Sequence, residues 1–137
     1  MAAAKKDKTV HTSGKRKRSI ARATLKPGKG VIKVNKRPLE IITPEVAQLR
    51  LKEPLAIAGI PNIDINVNVV GGGWSSQTEA ARLAIAKALV EYAKSDELKQ
   101  KFLEYDRHLL VADTRRKEPR KPLCHSKARA KRQKSYR

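Results

Sequence analysis

Between Ile63 and Val69 the chain alternates without interruption: Ile63, Ile65, Val67 and Val69 are apolar, whereas Asp64, Asn66 and Asn68 are polar. A period of two sends successive side chains to opposite faces, so this stretch reads as a strand with one buried and one wet face. Past Gly71-Gly72-Gly73 the period changes. Ala81, Ala84, Ile85, Ala88, Leu89 and Tyr92 recur at helical steps, with Arg82, Lys87, Glu91 and Lys94 on the other side. That helix is the natural cover for the strand. Ser76-Gln77-Thr78-Glu79 matches a capping box, which places the expected helix start at Ser76.

The flanking elements follow from the same patterns. Ser19 to Lys26 alternates Ala21, Ala23 and Leu25 against Ile20, Arg22 and Thr24, and Val31 to Val34 is a second short strand. Pro27-Gly28-Lys29-Gly30 between them has the composition of a tight turn, which predicts a hairpin. Thr43-Pro44-Glu45 reads as N-cap, N1 proline and first-turn acid of a helix through Val46, Leu49 and Arg50 that ends or bends before Pro54. Leu55 to Ile60 is apolar and closes at Gly59 and Pro61. Ser95 or Asp96 caps a short helix with Leu98 and Phe102 inward, Leu109-Leu110-Val111 forms a last strand, and Asp113 ends the folded part. The predicted class is α+β, one small mixed sheet covered by helices on one face.

Charge changes the picture at both ends. The 137 residues carry a formal net charge of +19, and 33% of them are charged. Residues 1–18 hold seven Lys/Arg against one Asp, and residues 114–137 hold eleven against one Glu. The expected organisation is a basic N-terminal arm (1–18), a globular domain (19–113) and an extended basic tail (114–137), the ends ordering only on a polyanion. Nucleic acid fits that role. An anionic membrane fits it less well, because the ends lack the apolar face of an interfacial helix. No apolar run is long enough to span a bilayer, and Met1-Ala2-Ala3-Ala4-Lys5-Lys6 lacks the apolar stretch of a signal peptide, so a cytoplasmic location is expected. A single cysteine, Cys124, precludes an internal disulfide.

Candidate chemistry is sparse. Lys15-Arg16-Lys17-Arg18 reads as a phosphate-binding patch, a localisation signal or a solvated run. Gly71-Gly72-Gly73 permits positive φ and close approach, and the free amides of the following helix favour an anion; a plain flexible turn is the competing reading. Lysine and spacing do not match a Walker loop. Trp74 is either a packing residue or an RNA-facing ring, and Tyr136 could stack on a base or ribose. Adjacent Cys124 and His125 are not held as nucleophile and base, and His11 and His108 are too dispersed for a zinc site. No catalytic residue, metal, cofactor or small-molecule substrate is expected.

Five segments in register resemble one family. They are Gly14-Lys15-Arg16-Lys17-Arg18-Ser19-Ile20-Ala21-Arg22-Ala23, Pro27-Gly28-Lys29-Gly30, Val70-Gly71-Gly72-Gly73 with Gln77 and Ala81, Asp113-Thr114-Arg115 with Glu118, Lys121 and Pro122, and the ending from Lys127 to Arg137. Together they resemble small-ribosomal-subunit protein nine in its archaeal and eukaryotic form. The resemblance implies a fold akin to the second domain of small-subunit protein five, with a left-handed βαβ crossover. It also implies binding to small-subunit rRNA in the subunit head beside neighbouring head proteins, and a tail that reaches the peptidyl-site tRNA. The ending Tyr136-Arg137 departs from the Lys-Arg of the bacterial branch.

Charge and resemblance together assign RNA binding to Lys15, Arg16, Lys17, Arg18, Arg22, Gly71, Gly72, Gly73, Trp74, Gln77, Arg115, Arg116, Lys117, Arg120, Lys121, Lys127, Arg129, Lys131 and Arg132. Lys134, Tyr136 and Arg137 are assigned to the tRNA. Two other readings share features of the sequence. Gly71-Gly72-Gly73-Trp74-Ser75-Ser76 loosely resembles the phosphate loop of small-molecule kinases, and the charge alone suits a nonspecific DNA-binding protein.

Overall fold

The computed structural model describes residues 9–59, 62–122 and 128–129. The alternation from Ile63 becomes the central strand β5 (Ile63–Val70), and its four alternate apolar residues are buried. Two further strands precede it on one side, β1 (Val10–Arg16) and β2 (Ser19–Pro27), and β3 (Ile32–Val34) and β4 (Arg37–Pro38) lie on the other. The order across the sheet is β1-β2-β5-β3-β4, with β3 parallel to β5 and the remaining pairs antiparallel. Three helices complete the fold: α1 (Glu45–Ala58), α2 (Trp74–Ala93) and α3 (Asp96–Tyr105).

Several expectations give way here. Residues 10–16, read as part of an arm, form an edge strand paired with β2 from Val10↔Leu25 to Arg16↔Ser19. Its inward positions include Thr12 and Gly14 rather than large apolar residues, because α2 lies too close to leave room for them. Thr12 Oγ1 donates to the Ala84 carbonyl at 2.7 Å, and a Cβ on Gly14 would collide with the Ala80 carbonyl and stand 2.8 Å from the Ala84 amide. The hydrophobic signal of a strand is therefore missing where the packing is tightest.

The hairpin between β2 and β3 does not form either, since β5 inserts between them. Asp64 explains the detour: its Oδ1 accepts the amides of Lys29 and Val31 at 2.9 Å each, which draws the glycine turn across the start of β5. The Val31 amide first, with those of Lys29 and Gly30, holds the Asp64 carboxyl below its usual range. Asn35 then extends the β3–β5 pairing beyond its last ladder residue, accepting from the Val69 amide at 2.8 Å and donating to the Val69 carbonyl at 3.2 Å.

In α1 the N-cap is Pro44, not Thr43, and the helix runs through Pro54 to an αL cap at Gly59. Proline inside a helix forfeits one backbone bond, and here burial of Pro54 beside Leu51 and Ala47 offsets that loss. Val46 and Leu49 are exposed. Leu109-Leu110-Val111 is not a strand; Arg107–Leu109 is a 3₁₀ turn started by Asp106, whose Oδ1 accepts the His108 amide at 2.9 Å, and it buries Leu109.

Other expectations hold. Ser95 caps α3, accepting from the Leu98 amide, and Leu98 and Phe102 are buried. Ala80, Ala81, Ala84, Ile85, Ala88 and Leu89 of α2 pack on Ala21, Ala23, Leu25, Ile65 and Val67 of the sheet. Small side chains on that helix bring it close to the strands. Arg82, expected on the exposed side, is instead tucked into ion pairs with Glu53 at 2.6 Å and Asp106 at 2.7 Å. Burial opposes its charge, but the Asp106 hydrogen bond and the Glu53 charge outweigh that and hold its pKa above the usual value. Among the described residues no helix covers the opposite face of the sheet.

Candidate nucleic-acid interface

The candidate interface begins where β1 turns into β2. Lys17 takes φ of +51° at the tip of this turn, and Lys17 and Arg18 are exposed there. Directly beneath runs the glycine turn that ends β5. Gly71 and Gly72 have φ of +80° and +69°, a region that side chains rarely adopt. A Cβ on Gly71 would stand 2.6 Å from the Arg18 carbonyl, so the two turns touch through backbone.

Hydroxyl groups fasten that contact. Ser19, fully buried, donates to the Gly71 carbonyl at 2.8 Å and shares a hydrogen bond of 2.8 Å with Ser76 Oγ. Gln77 Nε2 donates to the same Gly71 carbonyl at 3.1 Å. The N-cap of α2 is Gly73, and Ser76 serves at its third position, accepting from the Gly73 amide at 3.2 Å. The expected box was thus placed three residues late. Glu79 is free for another role. It accepts from Arg16 Nε at 2.5 Å and lies 3.6 Å from Arg50.

Arg16 also meets the chain as it leaves the fold. Its Nη1 lies 3.0 Å from Asp113 Oδ2, an ion pair without the alignment of a hydrogen bond, and its side chain is only 14% exposed. Asp113 in turn accepts from Arg115 Nη2 at 2.7 Å and from the Arg115 amide at 2.7 Å. The Arg115 hydrogen bonds, and behind them the Arg16 charge, hold the Asp113 carboxyl far below the usual carboxylate range. Arg115 remains 80% exposed despite the pairing. Arg116 donates to the carbonyls of Asp113 and Arg115 at 2.9 Å each.

These contacts steer residues 114–120 past the glycine turn and bring three distant segments around one cleft of about 1150 Å³. Its walls are the Arg16–Arg18 turn, Gly72 to Ser76 with Glu79, and Arg115 to Arg120. Among the described residues Lys17, Arg18, Lys117 and Arg120 have no carboxylate partner, whereas Glu118 is paired with Arg129 at 2.7 Å. That guanidinium holds the Glu118 carboxyl below its usual value. Trp74, 53% exposed, forms part of the wall. The first turn of α2 lines the cleft, and a helix start favours an anion. A cleft with these donors can hold a chain of phosphates, with arginines spanning two oxygens and lysines acting as mobile charges.

The structure places the sequence-assigned residues unequally. Lys17, Arg18, Gly72, Gly73, Trp74, Arg115, Arg116, Lys117 and Arg120 line the cleft; Arg16 and Gln77 hold it together; Lys15 and Arg22 lie on the open sheet face; Gly71 is the backbone contact. Lys121 and Arg129 lie beyond the cleft on the outgoing chain. Lys127, Lys131, Arg132, Lys134, Tyr136 and Arg137 lie outside the described residues, as do Cys124 and His125. Sequence reasoning missed Ser19, whose signal is a hydroxyl at the inward phase of the Ser19, Ala21, Ala23, Leu25 series. Among the described residues no group of three His, Cys, Asp or Glu side chains could hold a metal, and no helix is long and apolar enough to cross a membrane.

Comparison with known proteins gives a consistent result. Residues 14–137 match the family described as ribosomal protein S9/S16. The chain is 55% identical over 133 residues to small ribosomal subunit protein uS9 of Methanococcus maripaludis strain C7, covering 95% of this chain and 99% of that one. It is 53% identical to the protein of the same name from Methanococcus vannielii, with the same coverage.

Proposed function

The chain belongs to the ribosomal protein S9/S16 family, and on that premise we propose that it is a non-enzymatic constituent of the small ribosomal subunit that binds rRNA in the subunit head. One observation supports the RNA reading above the rest: Lys17-Arg18, the glycine turn and Arg115 to Arg120, far apart in sequence, wall a single cationic cleft. The cleft takes the phosphate backbone. Base readout is minor, since the donors are cations and amides directed at oxygen rather than a set fitted to base edges.

The domain then acts as an anchor. Asp113 and Arg16 fix the point of departure of the basic tail, and the tail follows RNA toward the peptidyl-site tRNA, with Lys134, Tyr136 and Arg137 at its far end. The site of action is the ribosome in the cytoplasm.

Binding to a small-subunit rRNA head fragment and to duplex DNA of equal length tests this reading. Tighter binding to the rRNA, together with co-sedimentation with small subunits through a high-salt wash, is expected. Equal affinity for the two, or release in the wash, contradicts it in favour of a nonspecific basic protein. Saturating ATP should leave the melting temperature unmoved; a rise would favour the kinase-like reading.

A further inference from the structure

The open face of the sheet is a feature that the cleft leaves unexplained. Register fixes what it carries: Arg22 on β2 stands opposite Asn68 on β5, and Asn66 on β5 stands between Thr24 of β2 and Lys33 of β3. Lys15 and Lys26 share that face at its two ends. All but the half-buried Thr24 are exposed.

The asparagines are the anomaly. Asparagine is a poor strand former, and β5 is the middle strand of five, where such a residue is least expected. Asp64, at the same phase of that strand, is accounted for by the amides of Lys29 and Val31 that it accepts. Asn66 and Asn68 have no such account: among the described residues neither side-chain amide has a protein partner. Locally unfavourable residues without structural compensation mark places where function has set the sequence.

Their neighbours indicate the ligand. Arg22 and Lys26 have no carboxylate partner among the described residues, and Lys33 has only the longer-range field of Asp64, whose charge is already engaged by backbone amides. The face is thus cationic, with free amide donors and acceptors at its centre; its one ring among the described residues, His11 on the edge strand β1, is hydrogen-bonded to Thr24 Oγ1 at 3.1 Å. A single imidazole tied to a neighbouring hydroxyl at the sheet edge is a poor stacking platform for a run of unpaired bases. Cations flanking side-chain amides suit a paired RNA backbone, phosphates on the charges and ribose 2′-hydroxyls on the amides, which both donate and accept.

We infer that this open sheet face is a second RNA-docking surface, on which Asn66 and Asn68 read ribose hydroxyls of an A-form RNA helix while Arg22 and Lys33 hold its phosphates. The inference rests on the rRNA reading and extends it to a surface the cleft does not include.

The test measures binding of the full chain to a 16-base-pair RNA duplex and to DNA of the same sequence. Asn66→Ala/Asn68→Ala should leave the melting temperature unchanged, weaken RNA binding about tenfold and leave DNA binding unaltered, because two hydrogen bonds each contribute a few-fold to affinity. If the alanine variant fails to fold, Asn66→Thr/Asn68→Thr, a better strand former with a shorter reach, should move RNA affinity in the same direction. Arg22→Gln/Lys33→Gln should lower the slope of log affinity against log salt by about two. Unchanged RNA affinity and slope in folded variants overturn the inference, as does a defect confined to subunit incorporation, which would make the face a protein contact. Lys17→Gln/Arg18→Gln is the control: if it too leaves RNA binding intact, the rRNA reading itself falls, and if it alone weakens binding, only the sheet face is refuted.

Discussion

Arg16 Nη1 stands 3.0 Å from Asp113 Oδ2, so the last residue of the first strand is tied to the point at which the chain leaves the fold. Arg16 is also held by Glu79 of α2, and one guanidinium therefore fastens strand, helix and outgoing tail. The next two residues, Lys17 and Arg18, line the cleft and have no carboxylate partner among the described residues. A run of four cations that looks uniform in sequence is divided by the fold into structural and ligand-facing members.

That division is measurable. Arg16→Met should destabilise the fold by about 1.5–3 kcal/mol, the worth of a charge-assisted hydrogen bond such as that to Glu79. Lys17→Gln/Arg18→Gln should change stability by less than about 0.5 kcal/mol, as exposed substitutions usually do, while weakening RNA binding. Denaturant unfolding and RNA titration on the same samples separate the two effects; equal stability losses would refute the division.

The glycines should likewise separate. Gly14→Ala forces a Cβ into the backbone of α2, and Gly71→Ala combines φ of +80° with a contact 2.6 Å from the Arg18 carbonyl, so each should cost about 1–3 kcal/mol. Gly73 has φ of −105° and nothing within 4 Å of its Cβ position, so Gly73→Ala should cost less than about 1 kcal/mol. Melting temperatures check the order.

Much of this was legible beforehand. The alternation of β5, the inward face of α2 and the Leu98/Phe102 pair were readable because apolar burial repeats at the period of each element. Strand β1 was not, because its inner positions are Thr12 and Gly14, where contact with helix backbone replaces side-chain burial. Nor could a local pattern show that β5 separates β2 from β3, an arrangement set by the long-range hold of Asp64 on the Lys29 and Val31 amides. The cleft's cations were identified by charge and resemblance, but their convergence depends on long-range contacts of Ser19, Arg16 and Asp113, whose partners no local pattern names.

Acid should loosen this arrangement. Asp113 is held down chiefly by Arg115; at Asp106, burial raises the pKa but the His108 amide and Arg82 outweigh it. Both folded-state values lie below the ordinary aspartate value of 3.8, so the unfolded chain binds more protons in that range. The stability they contribute is full above about pH 4 and is lost as pH falls through the folded values. Melting temperature should therefore drop on acidification from about pH 5 to pH 2, and Asp106→Asn/Asp113→Asn should start lower and drop less. A variant that tracks the unmodified chain throughout would refute the assignment.

The central claim is that the glycine turn and its flanking cations form one phosphate-binding cleft. The most direct test is the salt dependence of binding to a small-subunit rRNA head fragment, comparing the full chain with Lys17→Gln/Arg18→Gln/Lys117→Gln/Arg120→Gln. Loss of four phosphate contacts should flatten the slope of log affinity against log salt by about three, with melting temperature preserved. An unchanged slope in the folded variant would show that the phosphates bind elsewhere.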